Sequence, residues 1–209
     1  RNIGEASVFE DYRRQLLEVL VAARVEKIIV ACPGCYHNLR LLCEWEALKD
    51  VEIQALPVAL CDMELPMVAC DPGASVCVHD SCPDRSHGVF ADGIRALLAG
   101  LDIREVQHNR RRSQCCGMGK LRALTHPELS AKLTDDRLFE LKASGADTVV
   151  AGCLTCVGAL QPVARHYLEL AFRTRVDWNG VHATMEEALK SFDAGPVAYT
   201  GLEERSSLG

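Results

Sequence analysis

A short segment of this chain occurs twice, 121 residues apart, and this repeat constrains the fold more than any other feature of the sequence. Residues 27–35 read KIIVACPGC, and residues 148–156 read TVVAGCLTC. At the same offset Leu17 aligns with Leu138, so the amphipathic stretch before each segment repeats as well. Because self-similarity at a fixed offset indicates a repeated structural unit, we expect a helix, a buried strand and a Cys-x-x-Cys motif to follow one another twice.

The rest of the sequence also alternates between extended and helical patterns. Apolar, β-branched runs predict strands at residues 26–31, 51–55, 75–79, 103–107 and 147–151. Amphipathic patterns and helix-ending signals predict helices at residues 9–24, 36–48, 87–99, 127–144, 157–172 and 183–192. Prolines and a glycine within residues 56–73 predict an irregular linker. Strands that alternate with helices are typical of βαβ units, so we expect an α/β fold with a parallel sheet.

Cysteine is the unusual component of an otherwise ordinary globular composition. The chain has 209 residues, of which 11 are cysteines, an odd number that disulfides cannot pair completely. Seven of them are grouped after predicted strands: Cys32 and Cys35, Cys82, Cys115 and Cys116, and Cys153 and Cys156. Ligands of open α/β sheets bind at the carboxyl ends of the strands, so the last five of these cysteines are expected to converge on one centre. The other four are interpreted as core or linker residues: Cys43, Cys61, Cys70 and Cys77.

Five converging thiolates limit the chemistry of such a centre. A closed zinc site needs only four ligands, whereas thiolates are the usual ligands of iron–sulfur clusters. A zinc-binding structural module remains an alternative, and so does a thiol exchanger that uses one Cys-x-x-Cys pair. No glycine-rich nucleotide loop of the dinucleotide or Walker type occurs in the sequence.

The cysteine pattern resembles the cysteine-rich CCG domain of heterodisulfide-reductase-type iron–sulfur subunits. The resemblance rests on Cys82 within VHDSCPDR, on Cys115 and Cys116 within HNRRRSQCCGMGK, and on Cys153 and Cys156 within GADTVVAGCLTC. Iron–sulfur subunits of lactate-utilisation and anaerobic glycerol-3-phosphate dehydrogenase systems share this pattern. The similarity covers one full unit and the second half of a preceding unit.

This resemblance implies a ligand set and a domain organisation. It assigns the five cysteines of the full unit to a [4Fe–4S] cluster of the non-cubane type. The chemistry of the thiols alone keeps zinc as an alternative metal in the purified chain. Cys32 and Cys35 match the closing motif of a first unit, and they are candidate metal ligands of a second, truncated site. We therefore expect the chain to be part of a longer protein. The expected segments are residues 1–73 for the incomplete unit and its linker, 74–180 for the complete unit, and 181–209 for a short helix and tail.

Other residues near the cysteines have candidate supporting roles. Gly117 follows the Cys-Cys pair, where the backbone must curl to direct both sulfurs at one centre. His79 and His108 precede cysteine groups and are candidate hydrogen-bond donors or structural residues. The basic run at residues 110–112 either steers an anionic substrate or lies on a solvated loop.

The functional expectation is an oxidoreductase subunit that transfers electrons through an iron–sulfur cluster to a disulfide or another small-molecule acceptor. The alternative is an electron-transfer module that serves a quinone or a partner dehydrogenase. The expected partners are flavin or iron–sulfur subunits of a redox complex. The expected location is the cytoplasm, or the inner face of a membrane through partner subunits. A net charge of −6 disfavours nucleic-acid binding, and no apolar run reaches the length of a membrane span.

Overall fold

The computed structural model describes residues 6–42, 48–63, 73–119, 122–177, 179–181, 183–184 and 187. The chain divides into two compact units, Arg1–Arg173 and Thr174–Gly209. The helices and strands that position the cysteines belong to the first unit.

Helices and strands alternate along this first unit, as the sequence predicts. The helices are α1 (Ala6–Ala22), α2 (Pro33–Leu42), α3 (Leu56–Asp62), α4 (Val89–Leu97), α5 (Arg122–Thr125), α6 (Pro127–Ala143), α7 (Leu154–Ala159) and α8 (Tyr167–Ala171). The strands are β1 (Lys27–Val30), β2 (Glu52–Ala55), β3 (Ser75–His79), β4 (Asp102–Ile103), β5 (Thr148–Ala151) and β6 (Ala164–His166).

The strands form two parallel sheets, which confirms the predicted α/β class. Strands β1 and β2 pair with each other, and the larger sheet has the order β4-β3-β5-β6. After β3 the chain runs to β4 on one side and then crosses back to β5 on the other. The loops after β3 and β5 therefore diverge at a topological switch point, where open α/β sheets form ligand crevices.

The two central strands of the larger sheet carry the core. All five residues of β3 are buried, and Val149–Ala151 of β5 are buried as well. Val78 and Val150 pack in one cluster with Phe90 and Ile94 of α4. Burying a valine or a larger apolar side chain contributes about 1.5–3 kcal/mol, so this packing fixes the positions of the strand ends.

The sequence repeat is also a structural repeat. Helices α1 and α6 begin and end 121 residues apart, and so do strands β1 and β5. Helices α2 and α7 each begin directly after the first cysteine of a Cys-x-x-Cys motif. The predicted segment boundaries at residues 73 and 180 remain a prediction.

Two predicted segments are corrected by the structure. Residues 56–62 of the predicted linker form α3, because Pro57 lies in the first turn, where a proline leaves no helical hydrogen bond unmade. The predicted helix over residues 157–172 is instead α7, β6 and α8, because Pro162 lacks the N–H that a continuous helix requires. A capping box between His166 and Glu169 then starts α8.

Other predictions differ in length or lie outside the described residues. The strand predicted over 103–107 is shorter in the structure, where β4 covers only Asp102–Ile103. The helix predicted over 36–48 begins three residues earlier, at Pro33. Cys43, Cys70 and most of the helix predicted over 183–192 lie outside the described residues. Within the described part of the chain, no helix has the length and apolar character needed to cross a membrane.

Candidate metal centre

The ends of β3 and β5 position three of the grouped cysteines. Cys82 begins a short 3-10 turn, Cys82–Asp84, three residues after β3 ends. Cys153 is the N-cap residue of α7, and Cys156 lies in its first turn. Because His79 of β3 and Ala151 of β5 are paired neighbours, the two cysteine-bearing turns leave the sheet side by side.

The Cys115–Cys116 pair reaches the same place on a loop that α6 holds. Thr134 Oγ1 donates to the Cys116 carbonyl at 2.8 Å, and Ser130 Oγ donates to the Gly117 carbonyl at 3.1 Å. Gly117 has a φ of +94°, and a Cβ there would lie 2.5 Å from the Ser130 carbonyl oxygen. This close approach of loop to helix therefore requires a glycine.

The five cysteines of the complete set form an unbroken series of thiol contacts. Each side chain interacts with the next in the order Cys82, Cys115, Cys116, Cys156 and Cys153. All five thiols are partly or fully buried. The structure thus brings together every cysteine that the sequence assigned to this centre.

The five thiols of this series differ in acidity. Hydrogen bonds from Cys116 and Cys82 hold the pKa of Cys115 far below its usual range, and the hydrogen bond from Cys156 lowers the pKa of Cys153 to about 6. The hydrogen bond to Cys115, together with burial, raises the pKa of Cys82 and raises the pKa of Cys116 to about 11. Hydrogen bonds to Cys116 and Cys153, followed by burial, raise the pKa of Cys156. Cys115 and Cys153 are therefore the members of the series that ionise most readily to the thiolate, the form that binds metals.

Nitrogen donors surround the sulfur atoms. Arg122 Nη1 donates to Cys115 Sγ at 3.3 Å. Backbone N–H groups of Gly117 and Met118 donate to Cys115 and Cys116, respectively. The backbone N–H groups of Thr155 and Cys156 donate to the Cys153 sulfur. These donors compensate negative charge on the thiolates.

His79 lies fully buried beside the same sulfurs. One of its ring nitrogens and the Sγ atoms of Cys116 and Cys156 all lie within 4.8 Å of one another. Arg137 Nε donates to His79 Nδ1 at 2.9 Å. Burial, followed by the positive charge of Arg137, lowers the pKa of His79 to about 3, so the imidazole is neutral.

The Cys-x-x-Cys motif of the first repeat lies next to this series. Partial burial, followed by the neighbouring Cys32 and Cys153 thiols, raises the pKa of Cys35. A Cβ at Gly34 would lie 3.7 Å from Cys32 Sγ and 4.0 Å from Pro83, so the first motif lies beside the turn that carries Cys82.

Among the other described cysteines, Cys77 is buried in β3 and Cys61 packs against the core from α3, in agreement with their interpretation as packing residues.

A cavity of about 410 Å³ opens beside Cys115. Its lining residues are Arg85, Arg111, Arg112, Ser113, Gln114, Cys115, Leu133 and Asp136. Arg110, the first residue of the basic run, does not line it and instead forms ion pairs with Asp92 and Glu105. Arg111 and Arg112 form no ion pair within the described residues, so the wall of the cavity is electropositive.

Sequence reasoning missed two arginines of the site. Arg122 contacts Cys115, and Arg137 contacts His79. A signal for Arg137 was present, because it shares the buried face of α6 with Ser130 and Leu141, seven and four residues away. An arginine on the buried face of a helix needs a partner, and here His79 is one of them.

Comparison with known proteins agrees with this geometry. The family model described as CCG, cysteine-rich domain, matches residues 1–40 and 76–161. The chain is 26% identical over 177 residues to a probable membrane-anchored ferredoxin of Chromohalobacter salexigens, covering 78% of this chain and 26% of that protein. It is 26% identical over 219 residues to the EtfAB:quinone oxidoreductase of Syntrophomonas wolfei, covering 97% of this chain and 28% of that protein.

A third relative comes from Methanosarcina barkeri. The chain is 22% identical over 160 residues to a subunit of its dihydromethanophenazine:CoB–CoM heterodisulfide reductase, covering 71% of this chain and 38% of that protein. The alignments thus span between about a quarter and two fifths of the length of these curated relatives.

Proposed function

The chain belongs to the cysteine-rich CCG domain family, and on this basis we propose that it is an iron–sulfur electron-transfer subunit of an oxidoreductase. The proposed ligands of a [4Fe–4S] cluster are Cys82, Cys115, Cys116, Cys153 and Cys156. The observation that supports this proposal most strongly is the unbroken series of five thiols, gathered from three separate loops at the switch point of the sheet.

The donor set fits an iron–sulfur cluster. All five groups are sulfurs, and thiolates are the ligands that such clusters use. A tetrahedral zinc site would leave one of the five thiols without a metal. The N–H donors from Arg122 and from the loop backbones would balance the charge of several thiolates around one centre. When bound, the cluster would take up and release single electrons.

We further propose that the acceptor is a disulfide or another small molecule. A disulfide takes two electrons and two protons to give two thiols, so its reduction needs a source of electrons beyond this chain. A flavin or iron–sulfur partner subunit is proposed as that source. The role of this chain would be to hold the electron-carrying centre next to a cavity whose arginines attract an anionic acceptor.

A second candidate function is electron transfer to a quinone within a larger complex. It is favoured by the similarity to a protein named EtfAB:quinone oxidoreductase, to which nearly the whole chain aligns. A quinone is neutral and apolar, so its acceptor site would not depend on the arginines of the cavity. The cytoplasmic location expected from the sequence stays a prediction, since one relative is named a membrane-anchored ferredoxin.

The central test is the metal content after anaerobic purification and reconstitution. We expect about four irons and about four acid-labile sulfides per chain, as a [4Fe–4S] cluster requires. Iron and sulfide are measured by colorimetric assay and zinc by mass spectrometry. One tightly bound zinc without sulfide after reconstitution would contradict the proposal and favour a structural zinc module.

Variants distinguish the ligands from the other cysteines. Cys115→Ser and Cys153→Ser should each abolish the visible absorbance and most of the bound iron. Cys61→Ser is the matched control, because Cys61 is a half-buried packing residue of α3. The double variant of Cys32→Ser with Cys35→Ser tests the neighbouring motif, and it should keep the iron content of the five-cysteine set. Equal loss of iron in the Cys61 variant would show that the ligand assignment is wrong.

A further inference from the structure

His79 presents an unused hydrogen-bonding atom beside the candidate centre. The residue ends β3 and is 1% exposed. Its Nε2 atom is buried and has no hydrogen-bond partner within the described residues. A buried polar atom without a partner destabilises a protein by about 1–3 kcal/mol, so its retention calls for a ligand that completes the hydrogen bond.

The position of the proton on the His79 ring follows from Arg137. A guanidinium group donates hydrogen bonds and never accepts them. Arg137 Nε donates to His79 Nδ1, so Nδ1 carries no proton. The single proton of the neutral imidazole therefore lies on Nε2, the atom without a partner.

Arg137 is itself held firmly enough to fix this tautomer. Its side chain is fully buried, and its Nη1 donates to Glu140 Oε2 at 2.6 Å and to the His108 carbonyl at 3.0 Å. At the offset of the repeat, Leu16 occupies the equivalent position of α1 and is 41% exposed. The repeated helix–strand unit therefore does not by itself require a buried arginine at this position.

The same hydrogen bond argues against His79 as a metal ligand. Coordination through Nε2 would need a lone pair on that atom while Arg137 occupies the lone pair of Nδ1. Both ring nitrogens would then lack a proton, and the ring would be an imidazolate. A neutral ring satisfies both nitrogens and keeps its remaining proton: Nδ1 accepts the hydrogen bond from Arg137, and Nε2 donates.

We infer that His79, oriented by Arg137, donates an N–H···S hydrogen bond to a sulfur atom of the centre beside Cys116 and Cys156. This hydrogen bond raises the reduction potential of the cluster. Both Sγ atoms lie within 4.8 Å of a ring nitrogen of His79. Reduction adds negative charge near these sulfurs, and a hydrogen-bond donor stabilises the more negative state. In this role Arg137 positions His79, and His79 acts on the potential of the centre. The inference rests on the proposed function.

The test compares two substitutions of His79 in the reconstituted chain. His79→Leu removes the donor, whereas His79→Gln keeps an N–H donor of similar reach. His126→Gln is the control, because His126 is an exposed histidine at the start of α6. The midpoint potential is measured by redox titration monitored by electron paramagnetic resonance, and folding is checked by circular dichroism.

We expect His79→Leu to shift the midpoint potential of the cluster to more negative values. A tenfold change in the equilibrium ratio of reduced to oxidised cluster corresponds to a shift of about 59 mV. His79→Gln should recover part of this shift, and the control should match the wild-type chain. Pulsed electron paramagnetic resonance of the wild-type protein with ¹⁵N-labelled histidine should show a weak nitrogen coupling. If the leucine variant does not fold, this measurement tests the hydrogen bond from His79 without it.

The outcomes separate the inference from the proposed function. Failure of the wild-type chain to bind iron and sulfide would overturn the proposed function and the inference with it. Normal cluster binding with an unchanged potential in His79→Leu would overturn the inference alone. A strong nitrogen coupling, typical of direct iron–nitrogen bonding, would also overturn it.

Discussion

At the scale of single residues, Gly117 decides whether the Cys115–Cys116 loop can close on α6. Gly117→Ala should destabilise the chain by about 2–5 kcal/mol, since it adds left-handed backbone strain to a clash with the Ser130 carbonyl and Thr134. The free energy of unfolding is measured by urea denaturation of the metal-free chain.

Gly73 provides a matched control for this substitution. It has the same φ of +94°, but a Cβ there would meet no atom of the described residues within 4 Å. Gly73→Ala should therefore show the backbone strain alone, about 1–2 kcal/mol. Equal losses for the two variants would contradict the steric role of Gly117.

The sequence predicted the residues that carry their own signal and missed those defined by tertiary contacts. The grouped cysteines could be identified because cysteine is rare and because their spacing follows the predicted strands. Arg137 could be placed on a buried helix face, but its contact with His79 joins residues 58 positions apart. No local pattern specifies such a pairing, so the fixed tautomer of His79 could not be predicted.

At the scale of secondary-structure elements, Arg95 of α4 joins the ends of β3 and β4. Its guanidinium contacts Asp80 at 2.7 Å and Glu105 at 2.6 Å, and it is 8% exposed. Glu105→Gln should destabilise the chain at pH 7 by about 1 kcal/mol, because Glu105 is itself partly exposed. Urea denaturation followed by circular dichroism measures the difference.

This difference should depend on pH in a defined direction. The hydrogen bond from Arg95 lowers the pKa of Glu105 below its ordinary value of 4.5. The ion pair therefore contributes fully above pH 4.5, and its contribution is lost as the pH falls through the lowered pKa of the folded state. Asp102→Asn is the control, since both partners of its ion pair are exposed. A difference between wild type and Glu105→Gln that persists undiminished in acid would contradict this account.

Local patterns predicted elements well where periodicity was clear and poorly where proline was present. Prolines suggested a linker over 56–73, yet Pro57 lies in the first turn of α3. Pro162 was included in a helix, yet the chain there passes from α7 to β6. The effect of a proline depends on its position within a helix, and the helix boundaries were the uncertain quantity.

At the scale of the whole molecule, the repeat made the fold class predictable. The order of the strands in the larger sheet did not follow from the repeat, because it depends on which side of β3 the chain crosses before β5. That crossing creates the switch point at which Cys82, Cys153 and Cys156 meet. The sequence could indicate that the cysteines share one edge, whereas the order of contacts between their thiols required the structure.

The whole chain is acidic, with a net charge of −6, yet the cavity beside Cys115 is lined by three arginines. This local reversal of charge should attract anions to the Cys115 thiolate. Iodoacetate and iodoacetamide form a matched pair of probes, since the first is anionic and the second is neutral. In the metal-free chain, the ratio of their alkylation rates at Cys115 should exceed the ratio at Cys153, which does not line the cavity.

Replacing both Arg111 and Arg112 by glutamine should lower this ratio at Cys115 by about 3- to 10-fold at low salt, because two positive charges are removed from the approach path. The rates are measured by quantitative mass spectrometry of cysteine-containing peptides, with Cys153 as the internal reference. A double variant of Arg14→Gln and Lys27→Gln controls for the change in net charge, since neither residue lines the cavity. The effect should shrink at 1 M salt, where screening acts within about 3 Å. An unchanged ratio at Cys115 in the Arg111 and Arg112 variant would show that the cavity does not select anions, which would favour a neutral acceptor such as a quinone.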